Sequence, residues 1–383
     1  MRSLLLLLLA APAAPTPAEL EETGRTHLYN MELAEARAVF AELSRVAPES
    51  PSGPYFEANC LWMAEFSKRG GMSGSTFRSN QYWSSKSSGK DEELDREFKR
   101  LVGESVERAE ALLRKNPDDE EGLFFRGAAE GVLSAYLASV ERSYFAAYQA
   151  GKRAKHYHER ILEIDPEYAD ACLLPGIFEY TVATLPRSLK LLGFLVGVRG
   201  SKEKGVELVE RAVSGGARTR WVARLSLSVM RMREKRYSAS LSVLRELEQA
   251  FPRNPFLVME RGNIHLLRKD WGSARRAFEE VLEEERVYAG LDLLPRSLVL
   301  LRLSESLLFA KNYEGAAREL ERALSVPDVP EGIRAQIFLR RGMTSDAAGE
   351  RVAAKWDYRR AIALEADEVT TALAKRYLRE PYP

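Results

Sequence analysis

Two stretches of the sequence carry residue types that could do chemistry, and neither completes the site that it suggests. Residues 200–205 have the glycine spacing of a phosphate-binding loop, but Val206 and Glu207 stand where a lysine and a serine or threonine are needed. His156 and His158 are two positions apart, so they point to different sides of a helix and do not chelate one metal ion unaided. The sequence therefore predicts neither a cofactor nor a metal site here.

Other catalytic patterns are missing from the sequence as well. It contains no Gly-x-Ser-x-Gly nucleophile elbow and no His-Glu-x-x-His pair. The acidic run 118–121 stands at a predicted helix start, where carboxylates complement the helix dipole. We therefore expect no catalytic residue and predict that the protein is not an enzyme.

The composition describes a folded chain without a dominant charge. Of 383 residues, 45% are hydrophobic and 30% are charged, which is too apolar for a disordered chain. Lysine and arginine number 57 and aspartate and glutamate 56, giving a formal charge of +1. With no net field to attract polyanions, we expect no nucleic-acid partner.

The first residues indicate export. Arg2 precedes an unbroken leucine run from Leu4 to Leu9, and Ala11-Pro12-Ala13 places small residues at cleavage spacing. This run is too short to cross a bilayer, which needs about 20 apolar residues. We therefore predict a signal peptide at residues 1–13, a mature chain from 14 to 383, and a periplasmic or secreted location.

A repeat of 34 residues organises the rest of the chain. Lys235-Arg236-Tyr237-Ser238 and Lys269-Asp270-Trp271-Gly272 are turn-forming stretches with an aromatic residue before an amphipathic helix. Ser240 and Ala274 follow at the same offset, and Leu244 and Phe278 come four residues later on the same helical face. Each unit is therefore predicted to be a pair of helices.

These positions carry a family resemblance, because the pattern is similar to that of tetratricopeptide repeat (TPR) proteins. The TPR signature has a small residue at position eight, alanine at twenty, a large residue at twenty-four and proline at thirty-two. Three units match it, with Gly24, Ala36, Phe40 and Pro48; Gly262, Ala274 and Phe278; and Gly342, Ala354, Tyr358 and Ala361. The resemblance implies an all-α, right-handed solenoid in which small residues let paired helices interlock.

The spacing of prolines predicts insertions in the N-terminal half. We expect a Gly/Ser-rich loop at residues 68–95, extra helix between Leu133 and Arg153, an apolar insertion at 185–200, and a capping helix at 367–378. Residues 185–200 have three interpretations: a flap over a pocket, a buried helix, or an interfacial segment in peripheral contact with a membrane.

The TPR resemblance also implies a binding surface, since the first helix of each unit lines the concave face. Carried over by position, the groove residues are Val229, Met232, Arg233, Met259, Asn263, Leu266, Leu301, Glu305 and Phe309. This mixture of apolar and single polar groups suits an extended segment or helix of a protein partner. The predicted function is an exported, non-catalytic scaffold that binds a protein partner.

A second hypothesis is a periplasmic small-ligand carrier or an accessory subunit of solute uptake. Residues 185–212 resemble part of the periplasmic TPR subunits associated with TRAP-type uptake, and aromatic residues are dense between 118 and 200. The candidate pocket residues are Tyr136, Tyr144, Tyr148, Tyr157, Tyr180 and Phe194. The simpler interpretation is that these rings pack the core of lengthened helices.

The two cysteines exclude a disulfide scaffold. Cys60 and Cys172 are more than a hundred positions apart, and neither stands beside a histidine or a second cysteine. We expect small buried residues, with a bridge only if the fold brings the two together.

Overall fold

The computed structural model describes residues 14–68, 89–185, 199–283 and 288–383, and within them it contains helices and no strand. The predicted signal peptide at 1–13 and most of the two predicted insertions at 68–95 and 185–200 lie outside the described residues. Numbered in chain order, the α-helices are α1 (Pro17–Tyr29), α2 (Leu33–Val46), α3 (Ser52–Lys68), α4 (Glu92–Lys115), α5 (Glu120–Ser139), α6 (Tyr144–Ile164), α7 (Leu173–Ala183), α8 (Lys202–Gly215), α9 (Arg220–Arg233), α10 (Tyr237–Ala250), α11 (Pro255–Leu267), α12 (Trp271–Glu283), α13 (Arg296–Phe309), α14 (Tyr313–Leu324), α15 (Glu331–Ala347), α16 (Arg351–Ala363) and α17 (Glu368–Arg379).

These helices form a solenoid of helix pairs. Each helix packs mainly on its neighbours in the chain, so α1 and α2 form unit 1, α3 and α4 form unit 2, and so on to α15 and α16 in unit 8. Below, the first helix of a pair is helix A and the second is helix B. Short 3-10 segments, Ala169–Cys172 and Leu291–Leu293, precede α7 and α13. The predicted all-α, TPR-like architecture is confirmed.

The small and large residues of the repeat interlock within each pair. A methyl group added at Gly24 would lie 2.4 Å from the ring of Phe40, and one added at Gly262 would lie 2.4 Å from the ring of Phe278. The alanines at repeat position twenty, Ala36, Ala274, Ala316 and Ala354, are fully buried. Glycine is therefore required in helix A because the aromatic ring of helix B occupies the space of a side chain.

The turns between helices A and B share one backbone geometry. The second residue after helix A has a left-handed φ in units 5, 6 and 7, at Lys235 (61°), Lys269 (59°) and Lys311 (62°). In unit 6 the amide of Lys269 donates to the carbonyl of Leu266, and the amide of Asp270 donates to that of His265. This is the Schellman arrangement that satisfies the last carbonyls of a helix.

Among the described residues, units 2 and 3 have the longest helix pairs. Helix α5 has 20 residues and α6 has 21, against 13 or 14 in both helices of units 5 and 6. The predicted extra helix at 133–153 is thus present and is interrupted by a turn between Ser139 and Tyr144. The buried aromatic rings that pack these two units include Phe98, Phe124, Phe125 and Tyr136.

The N-terminal units fold back onto the C-terminal ones. Met31 in the α1–α2 turn is 1% exposed and belongs to the hydrophobic cluster built by units 6 to 8, where Met63 and Ala64 of α3 also pack. A methyl group added at Gly290 would lie 2.6 Å from the carbonyl oxygen of Met31. Contacts between unit 1 and the C-terminal units therefore close the solenoid on itself.

Polar contacts of unit 1 hold this closure at the loops that join one unit to the next. Arg218 donates to Glu21 at 2.9 Å, before unit 5. The amide of Arg253 donates to Asn30 at 3.2 Å, and the side chain of Asn254 donates to the carbonyl of Tyr29 at 2.7 Å, before unit 6. We call these contacts, together with Met31, the N-terminal clasp.

The two cysteines do not form a disulfide bridge. Cys60 and Cys172 are buried free thiols in separate hydrophobic clusters, and burial raises the pKa of Cys60 to about 12. Among the described residues, no helix combines the length and the apolar character needed to cross a bilayer.

Replacing Gly262 by alanine should destabilise the protein by about 2 kcal/mol, because the new methyl group displaces the Phe278 ring from a closed space. Gly103 is the control: it lies in α4 with no atom within 4 Å of an added methyl, so Gly103→Ala should stabilise by about 0.5–1 kcal/mol. Urea unfolding measures both. A Gly262→Ala variant as stable as the wild type would show that the ring and glycine do not interlock.

Candidate protein-binding surface

The nine predicted groove residues lie on the A helices of units 5 to 7, and the structure divides them by exposure. Four are half-buried: Val229, Arg233, Leu266 and Phe309. The other five are buried: Met232, Met259, Asn263, Leu301 and Glu305. A partner therefore does not reach these five side chains in this conformation. The groove as a binding surface stays a prediction.

Leu301 is fully buried in the hydrophobic cluster that the N-terminal clasp joins. This cluster also contains Met31, and Leu33 and Met63 pack against it. Helix α13 is buried on nearly all sides, which is typical of a helix inside a core rather than on a groove wall. Contacts with other parts of the chain therefore cover most of α13.

Glu305 holds units 7 and 8 together. Its carboxylate accepts hydrogen bonds from Arg302 at 2.8 Å and from Arg340 of α15 at 2.7 Å, and its side chain is 4% exposed. Burial alone raises the pKa of this carboxyl, but the two guanidiniums outweigh it and lower the pKa to about 2. Glu305 is thus an ionised buried group whose charge is neutralised within the fold.

Asn263 likewise points into the protein. Its amide nitrogen donates to Glu260 at 3.2 Å, one turn earlier on α11, and both residues are buried. Its polar atoms therefore serve contacts within the helix layer.

The accessible predicted residues lie at the C-terminal ends of the A helices. Arg233 donates to the carbonyl of Thr184 at 3.4 Å and lies 5.9 Å above the ring of Tyr180, and its burial lowers the pKa of its guanidinium. The ring of Phe309 lies 5.3 Å from that of Trp271. We call Arg233, Leu266 and Phe309 the inner-helix ends. They offer one cation and two apolar groups on successive units.

The predicted aromatic pocket is distributed over separate clusters. Tyr136 is buried against Phe98 and donates to Asp95 at 3.0 Å, whereas Tyr180 is buried in a different cluster and donates to the carbonyl of Met230. Tyr157 packs on a third cluster, and Tyr148 lies 5.6 Å from Phe178.

Tyr144 and Phe194 are the other two candidate pocket residues. Tyr144 is half-buried at the first position of α6. Phe194 lies outside the described residues, as does most of the predicted flap. The pocket therefore stays a prediction.

Three of the four histidines are hydrogen-bonded within the fold. His27 and His265 stand at equivalent repeat positions and pair with Glu32 and Asp270, five residues on. His158 is buried, and this burial lowers its pKa to about 4. Within the described ranges, no three acidic, histidine or cysteine side chains come together as a metal-ligand group.

Two surface features have no counterpart in the sequence predictions. Val352 and Trp356, one turn apart on α16, are 77% and 60% exposed. A cleft of about 680 Å³ between α13 and α14 is lined by Arg296, Arg318 and Arg322 over Leu300. The sequence shows the i, i+4 spacing of this apolar pair. It does not show that both side chains are exposed, because their exposure depends on which face of α16 packs against the rest of the fold.

No family model and no curated protein matches the sequence. Among solved structures, the chain is similar to one in the APC/C hetero-tetramer Cut9-Hcn1, with a TM-score of 0.55 and 13% identity over 94% of this chain and 55% of that one. It is also similar to a monomeric IFIT1 mutant with Gppp-AAAA, with a TM-score of 0.50 and 13% identity over 96% of this chain and 75% of that one. The chain therefore spans about half the length of the first of these solenoids.

Glu305→Gln should destabilise the protein by about 3 kcal/mol at neutral pH, since it removes the buried carboxylate that pairs with two half-buried arginines. The folded pKa is depressed, so the stability from this carboxylate is present above about pH 4.5 and is lost as the pH falls through about 2. In urea unfolding, the gap between wild type and variant should narrow over that range. The control is Glu42→Gln in an exposed pair with Arg45, which should change the free energy of unfolding far less than Glu305→Gln. Equal effects of the two changes would contradict the assignment.

Proposed function

We propose that this chain, which has the tetratricopeptide repeat fold, is a non-catalytic scaffold that binds a protein partner at the inner-helix ends of units 5 to 7. The observation that carries the proposal is the partial exposure of Arg233, Leu266 and Phe309 at successive A-helix ends, next to five predicted groove residues that are buried. Two adjacent apolar anchors beside one cation suit a helix or extended segment of a protein.

Rigidity supports this role. The N-terminal clasp ties unit 1 to the loops before units 5 and 6 and to Gly290 before unit 7, so the A-helix ends keep fixed mutual positions. A surface that is already ordered loses little conformational entropy on binding, which favours affinity at a small contact area. The similar Cut9 solenoid was solved in a hetero-tetramer with Hcn1, which agrees with a role in assembly.

We further propose that the protein acts outside the cytoplasm. The support is the sequence of residues 1–13, a basic residue followed by a leucine run and small residues. Helix α1 begins at Pro17 with Thr16 as its N-cap, so both residues lie after the predicted cleavage position. Removal of residues 1–13 therefore leaves this helix intact.

Site-specific cross-linking tests the binding surface. We would replace Leu266 with the photoreactive p-benzoylphenylalanine in the full chain, irradiate it in envelope extracts, and identify adducts by mass spectrometry. We expect one protein adduct that disappears when Phe309→Ala is added, since that change removes the neighbouring anchor. The same replacement at Val352, exposed on α16, is the comparison. An adduct at 352 but not at 266 would place the partner elsewhere and contradict this proposal.

The intact mass of the protein recovered after expression in a bacterium with a periplasm tests export. We expect a mature chain that starts at Ala14, in the periplasmic or secreted fraction. A variant with Leu6→Arg and Leu7→Arg interrupts the apolar run and should keep the precursor uncleaved in the cytoplasm. A wild-type chain that retains Met1 and stays in the cytoplasm would exclude this location.

A further inference from the structure

The left-handed position of the A–B turn is filled in different ways along the chain. In unit 1 it is Met31, whose side chain is buried in the clasp, and in unit 8 it is Gly349, with a φ of 84° and no side chain. In units 5, 6 and 7 it is Lys235, Lys269 and Lys311, all exposed. Three consecutive units thus hold a lysine where the fold needs only a left-handed backbone.

Turn stability does not account for these lysines. A left-handed backbone disfavours a residue with a Cβ by roughly tenfold in equilibrium relative to a right-handed one, and glycine avoids that cost. A cation at a helix C-terminus recovers about two- to fivefold at an exposed site. The balance favours glycine, as in unit 8, so lysine is retained at some expense of stability. Backbone strain of this kind is commonly kept for function.

The three turns concentrate positive charge in a neutral chain. Residues 233–236, 268–270 and 310–312 hold six basic and two acidic residues, while the whole chain carries +1. The two acids are Glu234 and Asp270, and Asp270 is engaged by His265 and by the amide of Ser273. No described carboxylate forms a salt bridge with the exposed cations, which we call the lysine edge: Lys235, Arg236, Arg268, Lys269 and Lys311.

The position of the lysine edge leaves it open. Each A helix begins at a loop from the preceding unit and ends at its own A–B turn. The N-terminal clasp lies against the beginnings, at Arg218, Arg253 and Gly290, so it covers the opposite end of these helices. The lysine edge is continuous with the inner-helix ends, since Arg233, Leu266 and Phe309 each precede a lysine by two or three residues.

We propose that the lysine edge docks an acidic helix of a protein partner. Successive units repeat the A–B turn, so the stack presents the cations as a row along one edge. Carboxylates at every seventh position recur about every 10.5 Å along one face of a helix, so such a helix offers a row of acidic groups to that edge. This inference rests on the proposed protein-binding function and specifies the partner's chemistry.

Other anionic partners match the edge less well. The neutral chain provides no long-range field to reach a nucleic acid or an anionic membrane surface. The apolar inner-helix ends beside the cations also suit an amphipathic helix, which offers an acidic and an apolar face.

Fluorescence anisotropy at low ionic strength tests the lysine edge. The probe is a labelled, alanine-rich helical peptide of about 21 residues with glutamate at every seventh position, and its glutamine counterpart is the reference. The triple variant Lys235→Gly, Lys269→Gly, Lys311→Gly should weaken binding of the acidic peptide about tenfold, while its Tm stays equal to or above that of the wild type. Loss of binding with intact stability separates recognition from folding.

The control removes three exposed cations elsewhere, with Lys152→Gln, Arg359→Gln and Lys375→Gln, and should keep the affinity for the peptide. Equal weakening by the control, a lowered Tm of the glycine variant, or tighter binding of oligothymidylate or phosphatidylserine vesicles would overturn the proposal. A cross-link at position 266 together with an unaffected triple variant would refute the lysine edge alone. Loss of that cross-link would refute the scaffold function.

Discussion

The contact between a glycine in helix A and an aromatic ring in helix B sets the geometry of this protein. At Gly24, Gly262 and Gly342 the ring of the facing helix, from Phe40, Phe278 or Tyr358, occupies the space where a side chain would begin. Two helices approach this closely only when one lacks a Cβ, so each pair has a fixed separation and crossing. Stacking of identical pairs then places the A–B turns in a row, which positions the inner-helix ends and the lysine edge.

Closure of the solenoid adds a second constraint that acts over long sequence distances. Unit 1 contacts loops about two hundred residues later through Glu21, Asn30 and Met31. Leu301 lies in the cluster that Met31 joins, whereas Glu305 is buried where it pairs with Arg302 of its own helix and Arg340 of the next unit. Closure and the stacking of neighbouring units therefore both turn predicted groove residues into core residues.

The sequence predicts local features of this fold well and long-range features poorly. Helix pairs, the glycine and aromatic positions, and the roles of Ala274 and Ala316 follow from a 34-residue period, because each contact lies within one pair. The N-terminal clasp could not be predicted from the sequence, because Asn30 and Arg253 share no sequence pattern that indicates their contact. Transfer of groove positions from the repeat pattern assumed an open concave face. Five of the nine residues are buried, because neighbouring units cover residues such as Glu305 and the cluster that Met31 joins covers residues such as Leu301.

A repeat protein can vary one position while it conserves the backbone there, and the A–B turn shows what that permits. The same left-handed conformation supports a buried contact at Met31, a bare turn at Gly349 and exposed charge at Lys235, Lys269 and Lys311. The left-handed residue takes part in the hydrogen bonds of the turn through its backbone amide, so its side chain has no role in forming the turn. Side-chain identity at this position therefore reports what lies outside the turn: another part of the chain in unit 1, and solvent or a partner in units 5 to 7. A position that folding leaves free is the kind of position where a solenoid can acquire specificity without altering its stack.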